Sequence, residues 1–284
     1  MLEAIYAFLE FIVPAAWIRY DFMKNALLAI LMIAPLFGLL GTMVVNNGMA
    51  FFSDAIGHSA LCGIAIGVVL GMSDTTPAMI LFAVLFAVGL NVLRQANIAS
   101  TDTVISVFAS LGTAIGLAIL SRGGNFSEYS GLLVGDILSI HPKELLYIAI
   151  VLVITVLFWV FGFNALHAVS VNRSLARTRG IPVQLIDTAF AVLIAVIVTI
   201  SIKWIGLMII NAMLILPAAA ARNISSNTRE YHLYALLFSF FSGITGLITS
   251  YYLNIASGPM IVILAAGVFF VTYLLRKHAR GETA

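Results

Sequence analysis

Asp54 and His58 lie four residues apart inside a long apolar run, FFSDAIGHSALCGIAIGVVLGM at 51–72. On a helix that spacing puts both on one face, and Cys62 extends the row by one more step of four. Ionisable groups inside an apolar span are costly and mark routes for ions or protons. A carboxylate beside an imidazole suits zinc, manganese or iron(II), and a thiolate in the same row leans toward zinc. Two ligands are too few for a closed tetrahedral site. A two-fold pair of copies, the commonest oligomer, brings two aspartates and two histidines to its axis. The same Asp–His pair also suits a structural hydrogen bond between helices, and Cys62 a small buried hydrophobe. Asp136, inside the short piece GLLVGDILSI at 131–140, either contacts a passing ion or caps that segment. Asn211 is the other polar candidate for a pore wall.

The elements that carry these residues are apolar helices. The chain has 284 residues, 62% hydrophobic and only 9% charged, against about 25% charged in soluble domains. It belongs in a lipid bilayer over most of its length. One cysteine excludes an internal disulfide, and a net charge of +2 is too small to argue for nucleic acid. A span needs about 20 mostly apolar residues. Such runs fall at about 25–45, 51–71, 77–95, 102–121, 144–165, 186–202, 204–221, 233–253 and 258–276. The fold expected is all-α: a polytopic bundle of eight or nine spans forming one domain over 1–284. Residues 1–21, with Glu3, Glu10 and Pro14, read as an interfacial helix. Those acidic residues also argue against a cleaved signal peptide. The piece at 131–140 is too short to cross and reads as a re-entrant segment.

Basic residues set the orientation. Arg173, Arg177 and Arg179 share one loop, Arg222 and Arg229 another, and Arg276, Lys277 and Arg280 close the chain. All three groups are expected on the cytoplasmic side. Five crossings before the first of them leave the N-terminus outside; a further crossing at 131–140 would bring it inside. Lys203 and Trp204 fall at the outer interface, where snorkelling and aromatic anchoring account for them. The loop NRSLARTRGIPVQLID at 172–187 predicts a short basic helix over 173–179, stopped by Gly180 and Pro182. Such a helix is either a topology signal or a handle for a cytoplasmic motor. The chain has no motor of its own: no lysine follows a glycine, so the phosphate-binding pattern GxxxxGK[ST] is absent.

Six stretches together carry a family resemblance: MAFFSDAIGHSALCGIAIG at 49–67, STDTVISVFASLGTAIGLAIL at 100–120, LLVGDILSI at 132–140, LARTRGIPVQLID at 175–187, IGLMIINAMLILPAAAAR at 205–222 and YYLNIASGPMIVILAA at 251–266. In this order they resemble the membrane permease of bacterial ABC importers for zinc, manganese or iron. The resemblance implies a homodimeric pore in the plasma membrane, a separate cytoplasmic ATPase subunit, and an extracellular or periplasmic metal-binding protein. It places metal contact at Asp54 and His58, and motor docking at Arg177, Gly180, Ile181 and Pro182. The metal, Zn2+ or else Mn2+ or Fe2+, is cargo and not a resident cofactor, and no enzymatic activity is expected of this subunit. Three departures stand out: Cys62 where many relatives have proline, Asn46-Asn47-Gly48 where many have basic residues, and Asn254 where many have aspartate.

Three rivals are weighed beside it. An ion-coupled secondary transporter without an ATPase would use Asp54 and His58 as a proton relay, but leaves the 172–187 loop unexplained. An intramembrane enzyme lacks any HExxH or GxSxG pattern. An importer of large chelates gains little from an Asp–His pair. The mechanism expected is alternating access driven by the ATPase, slowed in acid because protons compete with metal for these ligands.

Overall fold

The computed structural model describes residues 2–12, 15–95, 101–123 and 135–279, and among them there is no strand. Helix α1 (Leu2–Ile12) is followed by a 3-10 turn at Ala16–Arg19. Then come α2 (Asp21–Asn46), α3 (Ala50–Val69), α4 (Thr76–Gln95) and α5 (Thr101–Gly123). After a 3-10 turn at Ile137–Ser139, the chain forms α6 (Pro142–Val171), the short α7 (Arg173–Thr178), α8 (Val183–Ile205), α9 (Leu207–Ile224), α10 (Thr228–Leu253) and α11 (Ser257–Ala279). Nine helices of the described residues are long and apolar enough to cross a bilayer. The expected all-α bundle of eight or nine spans is borne out at nine.

Most boundaries reach beyond the apolar windows. Helix α6 runs through His167 to Val171, and α2 starts at Asp21, because terminal turns at the headgroup level tolerate polar side chains that the hydrocarbon does not. The 1–21 segment is a helix followed by a 3-10 turn, with Phe8 and Phe11 exposed and Glu10 paired to the buried Lys24 at 2.6 Å. Of the piece at 131–140, residues 131–134 lie outside the described residues.

The chain divides into two compact units. The first comprises Met1–Thr42, Gly135–Val156 and Ala212–Ala284. In it α10 and α11 meet so closely that a Cβ on Gly246 would lie 2.7 Å from the Ile261 Cα. Small residues at helix contacts are the rule in lipid, where packing replaces the hydrophobic drive. The Asn25 amide donates to the Ile140 carbonyl at 3.2 Å, tying the start of α2 to the turn before α6. Asp136 caps that turn, accepting from the Leu138 N–H at 3.0 Å. Asn254 closes α10 in the left-handed conformation, φ 58°, which asparagine tolerates better than most residues.

The second unit comprises Met43–Val134 and Leu157–Asn211. Helix α3 is its centre, packed on α4, α5 and α8. It is apolar on nearly every side, as a helix enclosed by others must be. A Cβ on Gly116 of α5 would lie 2.7 Å from the Cys62 backbone nitrogen, and one on Gly63 would lie 2.7 Å from the Met79 Cα of α4. These two glycines let α4 and α5 seat directly on α3.

Candidate functional site

The first turns of α3 carry the site. Helix α5 presents Ser106, Ala109, Ser110, Thr113, Ala114 and Leu117 to it at spacings of three and four, one helical face of small and hydroxylated residues. With Phe51, Asp54 and His58 they line a cleft of about 570 Å3. The His58 Nε2 lies 3.6 Å from the Asp54 Oδ1, and both side chains are partly open, 35% and 44% exposed. At that distance the two groups are neighbours but too far apart for a hydrogen bond.

Asn211 joins them from α9. Its Nδ2 donates to the Asp54 Oδ1 at 2.6 Å. Two local features set this contact. Gly206, at φ 85° and ψ 154°, ends α8 and starts α9 after a single residue, a conformation that essentially only glycine adopts. Leu207, one turn before Asn211, then fits over Gly57, where an added Cβ would fall 1.9 Å from the Leu207 Cδ1. Two buried atoms at this site have no hydrogen-bond partner among the described residues: the His58 Nδ1 and the Asn211 Oδ1.

Of the other candidates, Cys62 is buried at 3% exposure where α5 crosses α3, and it does not line the cleft. Asp136 belongs to the first unit and caps a turn there. No group of three or more His, Cys, Asp or Glu side chains able to hold a metal occurs among the described residues. Asp54, His58 and Asn211 are thus the cluster the fold assembles. The hydroxyl row Ser106, Ser110 and Thr113 escaped sequence reasoning. Its signal is a small polar stripe at helical spacing in an otherwise apolar span.

The second assembly is the hairpin from α6 to α8. Asn172 caps α7, its side chain accepting from the Leu175 N–H at 3.0 Å. Gly180 takes φ 76°, turning the chain so that Ile181 N–H returns to the Ala176 carbonyl at 3.1 Å. Val169, Ala176 and Val183 close into a small core beneath, flanked by Ile181 and Ile186. Arg177, Gly180, Ile181 and Pro182 come together with Val183, Gln184 and Leu185 around a surface hollow of about 550 Å3. Leu175 and Leu185 face outward, both at least half exposed. Under the hairpin, the Arg173 guanidinium meets the buried Asp187 carboxylate at 3.0 Å.

The far end of α8 carries a different pair. Lys203 donates to the Asp74 Oδ1 at 3.2 Å and to the Thr76 Oγ1 at 3.0 Å. The Thr76 hydroxyl and N–H donate to the same Asp74 oxygen at 2.6 and 3.1 Å. The Thr76 hydroxyl, then its N–H, with Lys203 adding less, hold the Asp74 carboxyl down to about 2. Sequence reasoning assigned Lys203 to snorkelling alone; the structure gives it a partner 129 residues away.

Nine membrane-length helices among the described residues, a polar cluster of Asp54, His58 and Asn211, and a basic hairpin between α6 and α8 fit a membrane permease. Residues 19–276 match the ABC 3 transport family, and the chain belongs to that family. It is 29% identical over 260 residues to the high-affinity zinc uptake system membrane protein ZnuB of Haemophilus influenzae, covering 91% of this chain and 99% of that protein. It is 26% identical over 256 residues to the manganese transport system membrane protein MntC of Listeria monocytogenes, covering 90% and 91%. Among solved structures, PsaBC from Streptococcus pneumoniae in complex with Fab superposes with a TM-score of 0.78 at 26% identity, over 89% of this chain and 91% of that one. The resemblance read from the six stretches is borne out, and the chain is a multi-pass protein of the bacterial plasma membrane.

Proposed function

We propose that this chain is the permease subunit of an ATP-driven importer that moves a divalent transition metal into the cell by alternating access. The observation that carries the reading is the Asp54–His58 pair facing an open cleft, in a chain of a transport family whose relatives include membrane proteins of a zinc uptake system and of a manganese transport system. A carboxylate and an imidazole replace part of the hydration of zinc, manganese or iron(II) alike. The lean toward zinc rested on Cys62, which lies outside the cleft lining, so the two-residue donor set leaves zinc and manganese level. A second copy supplies a second Asp54 and His58 and closes the open side of the cleft.

Hydrolysis belongs to a separate cytoplasmic ATPase. The hollow around Gly180 and Pro182, with Leu175 and Leu185 outward, is the surface we assign to it. A metal-binding protein outside the membrane delivers the cargo. The ion-coupled rival, with no ATPase, predicts that uptake is indifferent to a hydrolysis-dead ATPase.

The test is uptake of radiolabelled zinc and manganese by cells expressing this permease with its ATPase. Asp54→Ala, His58→Ala and a hydrolysis-dead ATPase are each expected to abolish it. Normal uptake by both alanine variants removes Asp54 and His58 from the path. Uptake that survives the dead ATPase overturns the importer reading itself.

A further inference from the structure

We infer that Asn211 is a third cargo ligand, one that holds Asp54 until the metal arrives and then biases the site toward manganese over zinc. The inference rests on the reading of Asp54 and His58 as the metal path. Its own observations are separate. The Asn211 carboxamide has two polar ends. Its N–H end is spent on the Asp54 Oδ1, at 2.6 Å. Its Oδ1 is buried and has no partner among the described residues. A buried carbonyl without a donor is uncommon and asks for an explanation. This one stands beside a carboxylate and an imidazole whose Nδ1 is also buried without a partner.

A cation on Asp54 gives the Asn211 oxygen a partner. It takes the Asp54 oxygen that Asn211 now holds, and a half-turn of the amide about its last side-chain bond then swings the Oδ1 toward the metal. The N–H end of the amide cannot ligate a cation; the oxygen end can. The single-residue link at Gly206 carries this side chain on the second turn of α9, where a small backbone change would move it on or off Asp54. The apparent metal affinity therefore includes the cost of breaking the Asn211–Asp54 hydrogen bond, which suits a site that must release its cargo.

The chemistry of the added ligand decides the bias. An amide oxygen is a hard donor of the class that suits manganese, which favours six ligands rich in oxygen. Zinc is content with four. From one copy, Asp54 and Asn211 give oxygen and His58 gives nitrogen. A second copy brings the set to six, four of them oxygens. Without Asn211 the set is the four-membered one that zinc fills.

The experiment is equilibrium binding of radiolabelled manganese and zinc, separately, to the permease purified with its ATPase in lipid nanodiscs. Asn211→Ala and the nearly isosteric Asn211→Leu are expected to weaken manganese binding about tenfold or more, the size typical of losing one supporting group at a metal site. Zinc binding should change by less than about threefold on the same scale. Asn211→Asp, which keeps an oxygen and loses the N–H, should retain manganese binding. Thermal unfolding of each variant confirms that it is folded. If Asn211→Asp fails as badly as Asn211→Ala, the residue acts only by tethering Asp54, and the inference is overturned. Equal losses for both metals, or none, also overturn it while Asp54→Ala and His58→Ala still abolish binding. If those two variants bind both metals normally, it is the proposed metal path that fails.

Discussion

The two ends of α8 are each fastened by one acid–base pair, and the pairs differ in burial. At the hairpin end Asp187 is 3% exposed and Arg173 45%. At the other end Asp74 is 62% exposed and Lys203 46%. Coulomb attraction at similar distances is worth little where water screens both charges. It matters where one charge has lost its water and depends on its partner. The hairpin end is therefore held firmly and the Lys203 end loosely. In the importer proposed above, with its ATPase assigned to the hairpin, this is the useful polarity. The handle stays attached to the helix, and the far end, next to Gly206 and Asn211, is free to yield.

Arg173→Ala should break this asymmetry most. It takes the guanidinium away from a buried carboxylate, and a loss of about 3 kcal/mol is expected, the low end for such a charge because the guanidinium was itself half in water. Thermal unfolding of the detergent-solubilised protein reads it directly. Gly180→Ala comes next. An added Cβ meets nothing within 4 Å there, so only the left-handed backbone resists, at about 1–2 kcal/mol. Lys203→Ala should cost about 0.5 kcal/mol or less, and a loss near that of Arg173→Ala would erase the distinction between the two ends. The smallest effect is the response to acid at Asp74. Its carboxyl is held below the usual value of about 4, so its stabilisation is complete above that value. It is lost as pH falls through about 2. Removing this increment with Asp74→Asn should flatten the acid limb of the unfolding curve only slightly, because the group is exposed.

What the sequence disclosed and what it withheld divide along chain distance. The nine spans follow from hydropathy, since lipid demands unbroken apolar helices. The hairpin was equally legible. Asn172, Gly180 and Pro182 act on their immediate neighbours, and the helix at Arg173–Thr178 is the expected one to within a residue. Asp54 and His58 were legible because one helix turn relates them. The apolar runs 186–202 and 204–221 put the break between α8 and α9 at residue 203, whereas it falls at Gly206, where backbone freedom lies. Asn211 was named as a pore candidate, but its partner 157 residues away was not. Nor was the link from Lys203 to Asp74. Contacts of this kind depend on how α3, α8 and α9 are placed in space, and no local spacing encodes that.

Cys62 offers one consequence for the bench. It is the chain's only cysteine, and it is buried where α5 leans on α3 through Gly116. The unmodified protein is therefore already a single-thiol reporter, with no background to engineer away. A maleimide reaches this thiol when α3 and α5 separate, so labelling reads out the contact made through Gly116.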